Sequence, residues 1–168
     1  MLKYKDQRIG IFVDVANMYH SAKNLFNARV NFAQILKEAT AGRKLIRVIA
    51  YVIKSKSVEE ENFFGVLAKQ GFEVKAKDLQ IFYGGIKKAD WDVGLAIDTI
   101  KLADRLDVIV LVTGDGDFVP LVSYLQENRG CLVEIMAFAK TASAKLIEAA
   151  DDFTDLSQKK FLIRSKKY

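Results

Sequence analysis

The chain has 168 residues, 51% hydrophobic and 28% charged, with one proline and one cysteine, which makes one compact domain and excludes disordered, collagenous and disulfide-stapled classes. No apolar run approaches the ~18 residues of a bilayer span, and the first one is broken by Asp14, so neither a signal peptide nor a membrane span is expected. The net charge of +5 lies at the end of the chain, where Lys159, Lys160, Arg164, Lys166 and Lys167 follow Leu156 without an acid; residues 1–156 read as a neutral domain and 157–168 as a basic tail.

Residues 8–14, RIGIFVD, form a short apolar run that stops at an aspartate, as a buried parallel strand does. A helical stretch follows, interrupted near Asn27 to Asn31 and resumed through NFAQILKEAT. KLIRVIAYVI is the second strand, 58–70 a helix stopped by Gly71, and FEVKAKDL a third strand. IFYGGIKK reads as a loop or edge hairpin broken by Gly84 and Gly85. WDVGLAIDTIKLADR reads as a helix with Val93, Ala96, Ile97, Ile100 and Ala103 on its buried stripe. DVIVLVTG is the most apolar strand and therefore central; a helix over 118–129, a strand over 131–138 and a helix over 142–150 complete the series. This β-α alternation predicts an α/β fold with a mostly parallel sheet between helical layers and right-handed crossovers. Cys131, in CLVEIMAF, suits a small buried thiol, and a lone cysteine points to a reducing cytoplasm.

In such sheets the functional crevice lies at the carboxyl ends of the strands, and that rule sorts the acids. Residues 90–117 hold seven aspartates against Lys101 and Arg105, whereas 41–56 hold Arg43, Lys44, Arg47, Lys54 and Lys56 with no acid. An acidic focus with basic flanks suits a metal-dependent enzyme acting on a polyanion. Asp14 ends the first strand, Asp115 and Asp117 follow the central one, and Asp92 joins them if its helix starts at the same edge. Each ionised pair at ~5 Å repels by roughly 3 kcal/mol at an effective dielectric of ~20, so a cation must neutralise them or some must hold protons. All-oxygen ligands favour Mg²⁺ or Mn²⁺. Asn17 stands ready to bond a scissile phosphate, a ligand water or Asp14, and Thr113, expected among the substrate-binding groups, to orient a carboxylate or a metal-bound water.

Each residue also has a plainer reading. Asp117 suits the cap of the next helix, Asp115 with Gly116 suits a turn, Asn17 a cap, and Asp92 a first helical turn. Asp98, 600° round the helix from Asp92, reads as exposed surface, and His20 as a helix-surface residue. The phosphate-cradling patterns G-x-x-x-x-G-K-[ST] and G-x-G-x-x-G and the nucleophile pattern G-x-S-x-G are absent. Acids without a nucleophile point to metal-activated water and phosphodiester hydrolysis.

The segments IFVDVAN (Ile11 to Asn17), WDVGLAID (Trp91 to Asp98), TGDGDFVPLV (Thr113 to Val122) and LIEAADDF (Leu146 to Phe153) resemble the NYN domain family, and within it the LabA-like branch related to PIN-domain nucleases. The resemblance runs from about Arg8 to Leu156. It implies a Rossmann-like, PIN-like three-layer fold in a single domain, an acid cluster binding Mg²⁺ or Mn²⁺, and ribonuclease activity. Carried over by position, Asp14, Asp92, Asp115 and Asp117 are the metal-binding acids and Asn17 stands beside them. This chain has Thr113–Asp117 as TGDGD where the family commonly has Ser-Gly-Asp-Ser-Asp, and Lys88 lies one residue further from the middle acid, with Asp90 intervening.

The leading expectation is a cytoplasmic metal-dependent ribonuclease, with Lys54, Lys56, Lys87, Lys88 and the tail holding RNA and Tyr83 or Trp91 stacking on bases. The alternatives are a non-catalytic RNA-binding or regulatory module, and a phosphotransfer domain, for which D-x-D-x-T is missing at Asp14 because Ala16 takes the second acid's place. A homo-oligomer remains open.

Overall fold

A computed structural model describes residues 1–55, 57–85 and 87–164. Lys56, the side chain of Lys88, and Lys166 and Lys167 of the tail lie outside the described residues.

The first apolar run forms β1 (Arg8–Asp14), buried from Ile9 to Val13. It is followed by α1 (Val15–Phe26), β2 (Arg29–Val30) and α2 (Phe32–Thr40). Next come β3 (Lys44–Lys54), α3 (Val58–Lys69), β4 (Glu73–Asp78) and the hairpin β5 (Gln80–Ile81) with β6 (Lys87–Lys88). The second half is α4 (Asp92–Leu102), β7 (Val108–Val112), α5 (Val119–Arg129), β8 (Leu132–Ala137), α6 (Ala144–Ala149), β9 (Asp152–Asp155) and β10 (Leu162–Ile163). Six strands form one sheet in the order β4-β3-β1-β7-β8-β9, every neighbouring pair parallel. The chain builds outward from β1 to β4, then returns and builds outward from β7 to β9. Right-handed crossovers in the two directions put helices on both faces. The five residues of β7 are fully buried beside β1 in the middle of the sheet, as their apolarity requires.

Four expectations need correction. β9 continues the sheet past the last predicted helix; its sequence DFTD has no apolar run because all four residues of this edge strand are only half-buried. In α4, Val93 and Ile97 face solvent at 71% and 46% exposure and Leu95 and Thr99 face inward, whereas Ala96, Ile100 and, just past the helix, Ala103 pack on the core as expected. Apolar residues surround most of this helix, so spacing alone leaves its rotation free, and polar bonds decide it. Asp98 accepts from the Tyr51 hydroxyl at 2.9 Å and from Lys75 at 2.7 Å, so it is an anchor to the sheet and not free surface. The basic flank of residues 41–56 is partly engaged by acids of the fold: Arg43 is buried and forks onto Glu134 at 2.8 and 3.0 Å, while at the surface Arg47 pairs with Glu73 and Lys44 with Asp6. Those cations belong to the scaffold.

After Leu156 the chain turns back onto the domain. Phe161 is fully buried, Lys160 pairs with Glu38, and β10 adds antiparallel to β2. No helix among the described residues is long and apolar enough to cross a membrane.

Candidate metal centre

The strand order reverses between β1 and β7, so two consecutive crossovers leave a crevice at their carboxyl ends. Asp14 closes β1 and caps α1: one carboxylate oxygen accepts the Asn17 N–H at 3.1 Å and the other accepts the Thr113 hydroxyl at 3.3 Å. Burial pushes this carboxyl above its ordinary range, against the pull of those two donors. Thr113 Oγ1 in turn accepts the Asp115 N–H at 3.3 Å, and Asn17 Oδ1 accepts the Gly114 N–H at 3.0 Å. The plain capping role and the tie between strand ends are therefore one device. Thr113 is fully buried and its hydroxyl donates to Asp14, so it orients that carboxylate.

The loop after β7 packs closely on the start of α6. A Cβ at position 114 would lie 3.0 Å from Ala142 Cα, and one at 116 would lie 2.8 Å from Ser143 Oγ. Both glycines follow from that approach, and Ser143, which caps α6 and donates its N–H to the Gly114 carbonyl at 2.9 Å, buttresses the acid loop. Sequence reading missed Ser143, although a serine ahead of AKLIEA is a readable cap. Asp115 accepts the Asp117 N–H at 2.9 Å, holding the two acids on one tight turn.

Asp92 arrives from the opposite direction at the first turn of α4. The neighbouring Trp91 fixes it: the indole donates to the Val52 carbonyl at 2.9 Å, its ring packs against Tyr51 at 5.3 Å, and Lys77 sits 4.7 Å over its face. Trp91 is thus a structural anchor that closes one wall of the crevice. Asp92, Asp115 and Asp117 each offer a carboxylate oxygen within 4.8 Å of the others. None of them, nor Asp14, joins an ion pair among the described residues. Desolvation, then the charges of Asp115, Asp90, Asp14 and Asp117, push Asp92 up to about 6. Asp90 accepts the Asp92 N–H at 3.3 Å and stands outside the close group of three. An all-carboxylate set at this spacing, with no ion-pair partner among the described residues, fits a hard divalent ion.

The crevice opens into a cleft of about 1920 Å³ lined by Asp14, Asn17, Asp92 and Asp115 at one end. Lys87 lines it; Lys54 does not, and borders a separate hollow of about 260 Å³ with Ser57, Glu60 and Asp78. His20 lies on the exposed side of α1 at the cleft wall, and Tyr83 is fully exposed at the tip of the β5–β6 hairpin. Cys131 is buried, its thiol 3.5 Å from the Leu106 carbonyl.

Two proteins show what this arrangement is similar to. A crystal structure of a protein of unknown function from Vibrio parahaemolyticus superposes with a TM-score of 0.89 at 32% identity, covering 97% of this chain and 100% of that one. The low amplitude and bright protein LabA of Synechococcus elongatus is 23% identical over 167 residues, covering 93% of this chain and 87% of its own. The sequence profile of the NYN domain matches residues 8–157, from the first residue of β1 to just past β9. The chain belongs to the NYN domain family.

Proposed function

We propose that this protein is a metal-dependent ribonuclease of the cytoplasm whose aspartates hold Mg²⁺ or Mn²⁺ against an RNA phosphodiester. The observation that carries this is the trio Asp92, Asp115 and Asp117, within 4.8 Å of one another and in no ion pair among the described residues, with Asp92 and Asp115 lining the cleft. At that spacing each ionised pair repels by roughly 3 kcal/mol at an effective dielectric of 20, a cost that binding a dication converts into affinity. Bound there, a divalent ion would supply charge neutralisation of the scissile phosphate and an acidified water. Asp92, Asp115 and Asp117 would hold it, with Asp14 beside them. Asn17 and Thr113 position Asp14 and the loop after β7, and Lys87 would hold a backbone phosphate in the cleft. Membership of the family supports nuclease chemistry; RNA as substrate and the choice of ion are the proposal's own.

The test is cleavage of labelled single-stranded RNAs by the purified protein with Mn²⁺ or with chelator, the Asp115→Asn protein run alongside. The expected outcome is cleavage that needs the ion and vanishes in Asp115→Asn, with a melting temperature for that variant in chelator equal to or above the parent's. RNA retained without any shortened product under either ion would establish a non-catalytic binding module in its place.

A further inference from the structure

Asp92 stands apart from the other rim acids in what holds it. Asp14 is held by Asn17 and Thr113, and Asp115 closes a tight turn with Asp117. The helices α1, α2, α3 and α6 begin under capping side chains, those of Asp14, Asn31, Ser57 and Ser143. By contrast, α4 begins at Trp91, whose side chain makes no capping bond, and the turn that carries Asp92 is held locally by the Asp92 N–H on the Asp90 carboxylate at 3.3 Å. A first turn without a cap leaves its N–H groups unsatisfied and frays unless groups outside the helix hold it.

The hold comes from the edge strand. In β4, Lys75 and Lys77 are two positions apart and share the face turned to α4, while Val74 packs on the core from the other. Lys75 reaches Asp98, in the middle of the helix, at 2.7 Å. Lys77 reaches its start: the ammonium donates to the Asp90 carbonyl at 2.9 Å and stands 4.7 Å over the Trp91 ring. Lysines of an edge strand ordinarily serve to keep other strands from pairing with it. Lys77 is exposed and forms no ion pair among the described residues; its charge is directed at a carbonyl dipole and an aromatic face. The indole is thereby held by Lys77 over its face, the Val52 carbonyl at its N–H and the Tyr51 ring 5.3 Å away. Two of these groups come from one place in the sheet, since Lys77 lies opposite Ile53, the residue after Val52. Asp92 follows Trp91 directly, so whatever fixes the ring and the Asp90 carbonyl fixes where its carboxylate stands.

We propose that Lys77 is a positioning residue of the acid rim: by clamping the Asp90 carbonyl and the Trp91 ring it places Asp92 against Asp115 and Asp117. Divalent-ion affinity then depends on a side chain that is not itself a ligand, a role that rests on reading these acids as an ion site. The clamp needs two things of position 77, a cation for the ring and a donor for the carbonyl. Arginine supplies both, whereas methionine keeps an unbranched stem of similar reach and supplies neither.

The test compares the parent, Lys77→Met and Lys77→Arg by calorimetric titration with Mn²⁺ and, in chelator, by acrylamide quenching of Trp91, the one tryptophan of the chain. Position 77 is exposed, so Lys77→Met should keep the parent's melting curve in chelator, which verifies folding. It is expected to bind Mn²⁺ roughly tenfold more weakly, as loss of a group that orients a ligand does, and to leave Trp91 more readily quenched. Lys77→Arg should restore both. A merely structural lysine would lower the melting curve and leave ion affinity and quenching where they were. Unchanged Mn²⁺ affinity in Lys77→Met, unchanged quenching, or an arginine no better than methionine would each overturn the clamp. A parent that takes up no Mn²⁺, with quenching that rises in Lys77→Met and returns in Lys77→Arg, would uphold the clamp and remove the ion-binding reading. Tight Mn²⁺ binding that is the same in all three proteins would do the reverse.

Discussion

Asp92 is where the chemistry of single residues is most exposed. Burial and four neighbouring acids raise its pKa from an ordinary 3.8 to about 6, so between those two values the folded chain holds a proton there that the unfolded chain has released. Stability from this group is therefore complete at low pH and declines as pH rises from about 4 through about 6. Asp92→Asn removes the decline. In chelator at pH 7.5 that variant should be more stable than the parent by on the order of 1 kcal/mol, since solvent still screens this half-buried group, and the advantage should fade towards pH 4. Saturating Mn²⁺ should reverse the order at pH 7.5. Thermal melts at the two pH values decide it; an advantage independent of pH would show that charge is not its source.

At the scale of elements, α4 shows how a helix is aimed. Its apolar residues do not choose a face; the Trp91 indole on the Val52 carbonyl and Asp98 between Tyr51 and Lys75 do. Gly94 makes room for that indole, since a Cβ there would stand 2.7 Å from Trp91 Cε3. Gly94→Ala should cost about 1–3 kcal/mol by overpacking and, by shifting Trp91, weaken Mn²⁺ binding at the neighbouring Asp92. Val93→Ala, on the exposed side of the same turn, should stay within about 0.5 kcal/mol of the parent and bind the ion unchanged. Denaturant unfolding and calorimetric titration with Mn²⁺ separate the two, and equal behaviour would refute the packing argument.

The whole molecule is joined across its sheet by one buried ion pair. Arg43, ahead of β3, bonds Glu134 on β8 through two guanidinium nitrogens, and its remaining donors reach the Ala39 and Thr40 carbonyls and Gln7. The two residues stand 91 positions apart and clasp the halves of the fold that build out from β1 and from β7. Arg43→Ala leaves the buried Glu134 carboxylate with only the longer Lys3 contact at 3.7 Å and should cost about 3–5 kcal/mol. Arg43→Met with Glu134→Leu should recover most of that, because the pair's attraction is largely offset by the desolvation of its charges. Denaturant midpoints for the single and double variants measure both; a double variant no better than the single would mean that the pair itself supplies net stability.

The sequence by itself determined the strands whose neighbours bury them on both faces, because β1, β3 and β7 must be continuous apolar runs to sit inside a sheet. It also determined that Asp14 and the acids after β7 meet at one edge, since every parallel strand ends on the same side. What it could not convey were features whose cause is a distant partner. The rotation of α4, the burial of Arg43, the close approach that demands Gly114 and Gly116, and the pairing of β10 with β2 all depend on residues far along the chain. A local pattern records a residue's own burial and period; which atoms lie opposite it is decided only when the strands have found their order.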